Sequence, residues 1–233
     1  MKKILAIATA IILGTSAMHA VDIELDVMHF LWNYNKVTHL TLNGNKLPKE
    51  AKVSTRYNSP FLSFGLNANF YFMESGMAKL GMNVAGGFDF GTLLTLSSSS
   101  SIGSDATWGG GGFLKVGFAA SINFNDVHSL YVSPGFILTG ASGTLKTFGI
   151  DNRISTFLVG LDIDVGYRAF FLQKSNFDFG INAGINIDFP LGGVVGSKYT
   201  YTPIYGATTT TNNKSGAFGG GFKLYVGPAF RLK

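Results

Sequence analysis

From residue 79 to residue 94 the chain alternates strictly between two kinds of side chain. Leu80, Met82, Val84, Phe88, Phe90 and Leu94 take one set of positions; Lys79, Gly81, Asn83, Ala85, Gly87, Asp89 and Gly91 take the other. A period of two marks a strand with two unlike faces, because successive side chains of an extended backbone point to opposite sides. The same alternation returns at 62–72, 114–124, 177–189 and 222–232, and less cleanly at 22–34, 130–138 and 157–171. In the first of these weaker segments Ile23, Leu25 and Val27 give way to Met28, Phe30 and Trp32. That change of phase predicts a bulge or a strand end. Eight strands are expected, many longer than the roughly 5–6 residues usual in soluble proteins.

The character of the two faces decides the class. The apolar face of the clean segments carries no charged residue. The opposite face holds Gly, Ala, Asn and Ser with scattered Asp, Lys and Arg. A soluble barrel or sandwich would bury the apolar face and fill the other with Lys, Glu and Thr to meet water. Small residues suit a crowded, narrow interior instead. Lipid tolerates the uncharged apolar face, where a charge at the midplane costs about 2–4 kcal/mol. Backbone polar groups in a bilayer must all be paired internally, so strands that cross it must close into a barrel. Hydrophobic residues make up 46% of the chain and charged residues 13%, about half the usual charge content. That balance excludes a disordered chain, and beyond the N-terminus no apolar run reaches the roughly 18 residues of a membrane helix. The expected fold is all-β, an eight-stranded antiparallel transmembrane β-barrel.

At the N-terminus, Lys2 and Lys3 precede the apolar run 4–13, and the small residues Gly14, Ser16, Ala17 and Ala20 follow. This is the pattern of a secretory signal. Residues 1–20 are expected to be a cleaved signal peptide and 21–233 a single outer-membrane barrel domain. The chain has no cysteine, which excludes disulfides, a lipidated cysteine, zinc–thiolate sites and a cysteine nucleophile.

Connections alternate in length. Those at 35–56, 95–109, 140–153 and 191–216 are long, and those at 73–77, 125–128 and 172–175 are short. Outer-membrane barrels have short periplasmic turns and longer external loops. Phe70, Phe72, Phe124, Tyr131, Phe170, Phe171 and Phe177 gather near the short turns, and those that face outward are expected to form an interfacial girdle. With signal, alternation and loop asymmetry together, the chain resembles the small outer-membrane barrels of the OmpA-barrel, OmpX and OmpW type. The resemblance spans the whole mature chain and rests on pattern. It implies a bacterial outer-membrane location, contact with outer-membrane lipid and insertion by the barrel assembly machinery. Members usually end in an aromatic residue, whereas this chain ends Phe230-Arg231-Leu232-Lys233. That departure points to a lineage with a different insertion signal, such as the spirochaetes.

The formal net charge is +5, and the excess sits in the long connections. The first of them carries Lys36, Lys46, Lys49, Lys52 and Arg56 against Glu50. Such a basic external loop suits anionic glycans or host surface molecules, attracted at long range. Other charges fall on the inward face: Glu24, Lys79, Asp89, Lys115, Asp162, Asp164, Arg168, Asp178, Asp188, Lys223 and Arg231. They are expected to form a lumen charge network that fills or gates the barrel, because charges in a poorly hydrated interior need partners. Spacing pairs Arg168 with Asp178 across a short turn and Asp89 with Lys115 across the second long connection. It also places Glu24 and Arg231 near the periplasmic end, where the first and last strands meet.

Residues for catalysis are sparse. His19, His29, His39 and His128 fall in separate segments without metal-ligand spacing, and no G-x-S-x-G elbow is present. The run Gly109 to Gly112 lacks the Lys-Ser/Thr of a phosphate loop and reads as the flexible start of a strand. Residues 97–101 and 208–213 read as low-complexity loop tips. No catalysis, cofactor, metal or nucleic acid is expected. The loops are expected to carry adhesion or another surface interaction, or else the barrel has a membrane-structural role. The alternative is a narrow pore or a channel for a small apolar solute, against which stands the tendency of side chains to fill an eight-stranded interior.

Overall fold

The structure, a computed structural model, describes residues 20–26, 28–37, 41–42, 45–46, 51–57, 63–97, 105–147, 150–201, 206 and 208–233. The signal segment before Ala20, and Lys49 of the basic loop, lie outside the described residues. At Lys36, Lys46, Lys52, Arg56 and Asp89 the backbone alone is described.

The alternating segments form strands whose ladder closes on itself. In chain order these are β1 (Ala20–Asp26), β2 (Met28–Val37), β3 (Thr41–Leu42), β4 (Asn45–Lys46), β5 (Ala51–Tyr57), β6 (Ser63–Ser75), β7 (Ala78–Ser97), β8 (Asp105–Asn123), β9 (His128–Thr147), β10 (Ile150–Gln173), β11 (Phe177–Tyr201) and β12 (Thr209–Leu232). β1 and β2 together make the first stave of the barrel, and β5 and β6 make the second; β7 to β12 supply one stave each. Each neighbouring pair is antiparallel, and β1 pairs with β6 on one side and β12 on the other. The wall is thus closed and eight-stranded, every stave being paired on both sides along the band. β3 and β4 form a small separate hairpin.

The phase change read in the sequence has its counterpart in the first stave. Glu24 faces Ala229 and Met28 faces Val226, so the register against β12 slips by one residue between β1 and β2. A one-residue slip sends the following side chains to the other face.

Hydrophobicity is inside out. Along β10 the exposed positions are Phe157, Val159, Leu161, Ile163, Val165, Tyr167 and Phe171, while Asp162, Asp164 and Arg168 are buried in the lumen. At about 3.3 Å per residue and a tilt of about 45°, that exterior band stands roughly 30 Å tall, the thickness of a bilayer core. Leu66, Phe72, Leu80, Met82, Val84, Leu114, Val116, Phe118, Phe136, Ile181, Ile187 and Leu224 continue it around the wall. Of the aromatics near the short turns, Phe72, Phe124, Phe171 and Phe177 face outward; Tyr131 and Phe170 are buried inside.

Two of the short turns fall where expected, and the third lies slightly later, between Gln173 and Phe177. Ser75 and Ala78 are register partners around Gly76 and Met77. Gly76 takes a φ of 59°, the left-handed geometry of a primed hairpin turn. Between β8 and β9, Asn125 Oδ1 accepts hydrogen bonds from the amides of Val127 and His128. The long connections are shorter than their sequence suggests. The segment 140–153 is almost all strand, since β9 runs to Thr147 and β10 starts at Ile150. Gly109 to Gly112 lie within β8, and Thr209 to Asn213 open β12 rather than forming a loop tip. Alternation marks only the part of a strand that separates lipid from lumen. Beyond the band the outer face meets water, and the ladder continues without that signature.

Candidate functional site: a polar lumen

The lumen is crossed by one connected set of buried polar side chains, to which every stave contributes. Arg168, on β10, is fully buried. It donates to Asp22 Oδ2 at 2.8 Å and to Tyr71 Oη at 3.1 Å, and forms an ion pair with Glu24. Its guanidinium lies 3.8 Å from the centre of the Tyr131 ring. Such a fork bonded to two carboxylates is among the stronger polar contacts available to a protein.

Glu24 is the hub. It accepts from Tyr131 Oη at 2.7 Å and from Asn67, Asn69 and Asn182 at 3.2 to 3.3 Å. Tyr131 meets Tyr225, which bonds Asp164, and Asn67 reaches Asp164 as well. The two tyrosines lie against glycines of the facing strands. A Cβ on Gly166 would stand 2.5 Å from the Tyr131 ring, and one on Gly184 would stand 2.2 Å from Tyr225 Oη. Glycine leaves the room that lets each ring lie against the wall.

Toward the short-turn end, Arg231 donates to Asp22 Oδ1 at 2.9 Å and lies 4.1 Å from the centre of the Phe170 ring. Away from that end, Lys223 pairs with Asp26 at 2.7 Å, and Lys115 pairs with Asp162 while donating to the Ser133 carbonyl at 2.7 Å. Asn186 also donates to Asp162, and Asp188 stands directly opposite Asp162 in the register. Beyond these layers the buried positions are mostly apolar, with Ile137, Ala141, Ile154, Leu158 and Val195 beside Thr156.

Glu24, Lys79, Lys115, Asp162, Asp164, Arg168, Asp178, Asp188, Lys223 and Arg231 are thus all buried, as their inward phase predicts. The side chain of Asp89 is outside the described set. The pairs within the network are different from those expected. Arg168 faces Asn182 rather than Asp178, because the hairpin turns around Ser175 and Asn176, with Gln173 opposite Asp178; a bulge between Phe170 and Leu172 moves the register by one residue besides. Asp178 instead pairs with Lys233 at 2.7 Å. Asp89 faces Gly111, and Lys115 faces Ala85. Arg231 meets Asp22, its register partner, rather than Glu24, and Lys79 pairs with Glu74 at 3.4 Å. Asp22 and Asp26 share the phase of Glu24 and were legible in the alternation. Tyr131 reads in sequence only as an aromatic near a turn, and Tyr225 as one residue of the inward phase of 222–232, so neither is marked as a network member.

The opposite end of the barrel is basic along its strands. Lys36 and Lys52 are direct register partners on β2 and β5, as are Arg153 and Lys198 on β10 and β11.

No protein-family model and no curated protein matches the sequence. Among solved structures the chain is similar to the outer membrane protease OmpT from Escherichia coli, at 12% identity and a TM-score of 0.53, covering 91% of this chain and 95% of that one. It is also similar to the outer membrane protein OprG from Pseudomonas aeruginosa, at 11% identity and a TM-score of 0.54, again covering 91% of this chain and 95% of that one. At such identities the likeness is one of fold: the chain adopts the closed antiparallel barrel of small outer-membrane proteins.

Proposed function

We propose that this protein is an integral protein of the bacterial outer membrane with a sealed lumen, acting at its external end as a non-enzymatic binder of anionic surface partners such as glycans. The observation that carries this reading is the network itself. Arg168 and Glu24 are fully buried and joined to side chains from facing walls. Opening a path past them means separating buried charges, which costs about 3–5 kcal/mol for a pair broken from one side. Binding then falls to the basic end, where Lys36, Lys46, Lys49, Lys52 and Arg56 are concentrated in the sequence.

A second reading, a route for a small apolar solute, draws support from the apolar layer of Ile137, Ile154, Leu158 and Val195 beyond the network. One set of measurements separates the two. Full-length protein refolded into liposomes is expected to give no swelling in sugars and no planar-bilayer conductance. Cells displaying it are expected to bind a sulfated polysaccharide, and to lose that binding when the five basic residues of the first connection are changed to Gln. Conductance by the wild-type protein, or binding unchanged in the Gln variant, would overturn the proposal.

A further inference from the structure

We infer that Arg153, Lys198 and Lys214 form a binding site for a phosphate-bearing lipid headgroup on the outer wall of the barrel. This rests on the reading of the chain as a membrane-embedded barrel.

Arg153 and Lys198 face each other directly across β10 and β11. Lys198 faces Asn212 of β12, and Lys214 lies two residues further along, one diagonal step from Lys198 on the same face. Exposed and buried positions alternate here: Arg153, Ser155 and Phe157 are exposed while Ile154, Thr156 and Leu158 are buried. Lys198 and Lys214 are exposed too, so all three charges point away from the lumen. Like charges placed directly opposite on an antiparallel pair repel and destabilise it. Among the described side chains, of which Asp151 is not one, no ion pair joins any of the three. The polar contact of Arg153 is with Ser142 Oγ, at 3.1 Å. The nearest carboxylate along β10, Asp151, is set opposite another base, Lys146.

Depth selects the ligand. Arg153 lies four residues beyond Phe157, and Lys198 four beyond Val194, at the edge of the exterior apolar band. Four residues of tilted strand rise roughly 9 Å, and basic side chains reach several ångströms back along their apolar stems. The charges therefore stand in the headgroup layer, beside lipid rather than at the loop tips. Arg supplies a planar fork that matches two phosphate oxygens, and Lys supplies point charges. A phosphate between the strands removes the repulsion of Arg153 and Lys198.

The test compares wild type with the triple variant Arg153→Gln/Lys198→Gln/Lys214→Gln. Both are refolded into vesicles of phosphatidylcholine alone or with phosphatidic acid, and insertion is scored by heat-dependent gel migration. Wild type is expected to melt at a higher temperature with phosphatidic acid, and to retain it over phosphatidylcholine in native mass spectrometry. The triple variant is expected to insert equally well and to lose about tenfold or more of that preference. An unchanged preference in the triple variant overturns the site. So does equal protection of wild type by free inorganic phosphate in phosphatidylcholine vesicles, or an equal loss in a Lys36→Gln/Lys52→Gln control. If neither protein inserts at all, the membrane reading falls first and takes the site with it.

Discussion

Arg168 carries a full charge in a fully buried place, and three groups compensate it: Asp22, Glu24 and the face of Tyr131. Removing it strands Glu24, whose other described partners are neutral amides and a phenol. Arg168→Ala is therefore expected to destabilise the barrel by about 3–5 kcal/mol, measured by urea unfolding in lipid vesicles. Arg168→Lys should recover a minor part, because a point charge cannot hold both carboxylates in one fork. Glu24→Gln on the Arg168→Ala background should recover more, since it removes the stranded charge. That Arg168, Glu24 and Asp164 face inward was legible from their phase alone. Their partners were not, because a period of two assigns a face and leaves the register open. The register of β10 on β11 is set by a turn around Ser175 and Asn176 and by a one-residue bulge at Phe170 and Leu172, and nothing in the alternation of those residues announces either.

A single strand shows how position, more than residue type, sets the cost of a change. On β10, Ile163 and Ser155 share the outward face, but Ile163 sits mid-band and Ser155 lies beyond Phe157. Ile163→Arg is expected to cost about 2–4 kcal/mol and Ser155→Arg close to nothing, read from the same unfolding series. Equal costs would mean that the apolar band does not face lipid. The strands were legible over the band and illegible beyond it. Phe177 to Phe189 announce β11 by alternation, yet the strand continues to Tyr201. Where both faces meet polar surroundings the side chains lose their contrast, while the backbone ladder carries on. Low-complexity stretches such as Thr209 to Asn213 then resemble loops in sequence and pair as strand in fact.

At the scale of the whole molecule, closure sets the orientation. The short turns, the start of β1 and the end of β12 lie at one rim, and the long connections at the other. Trypsin applied to intact cells is expected to cut within 46–52, at Lys46, Lys49 or Lys52, and to leave the turn at Gly76 intact; protection of that segment on intact cells would invert the topology. Barrel class, strand number and the inward charges could all be read from the chain, because each follows from one contrast between lipid and lumen. The connected path through Glu24, Tyr131 and Tyr225 could not, because it joins residues far apart in sequence across a closed wall. That seam also bears on the order of assembly. β1, at the start of the chain, brings the acids Asp22, Glu24 and Asp26, and β12, at its end, brings the bases Lys223 and Arg231. Asp22 meets Arg231 and Asp26 meets Lys223 across the seam. A barrel lacking its last strand holds Asp26 without Lys223 and leaves Asp22 and Glu24 to share Arg168. The two strands of the seam thus attract one another by charge, and the arrival of β12 completes the interior.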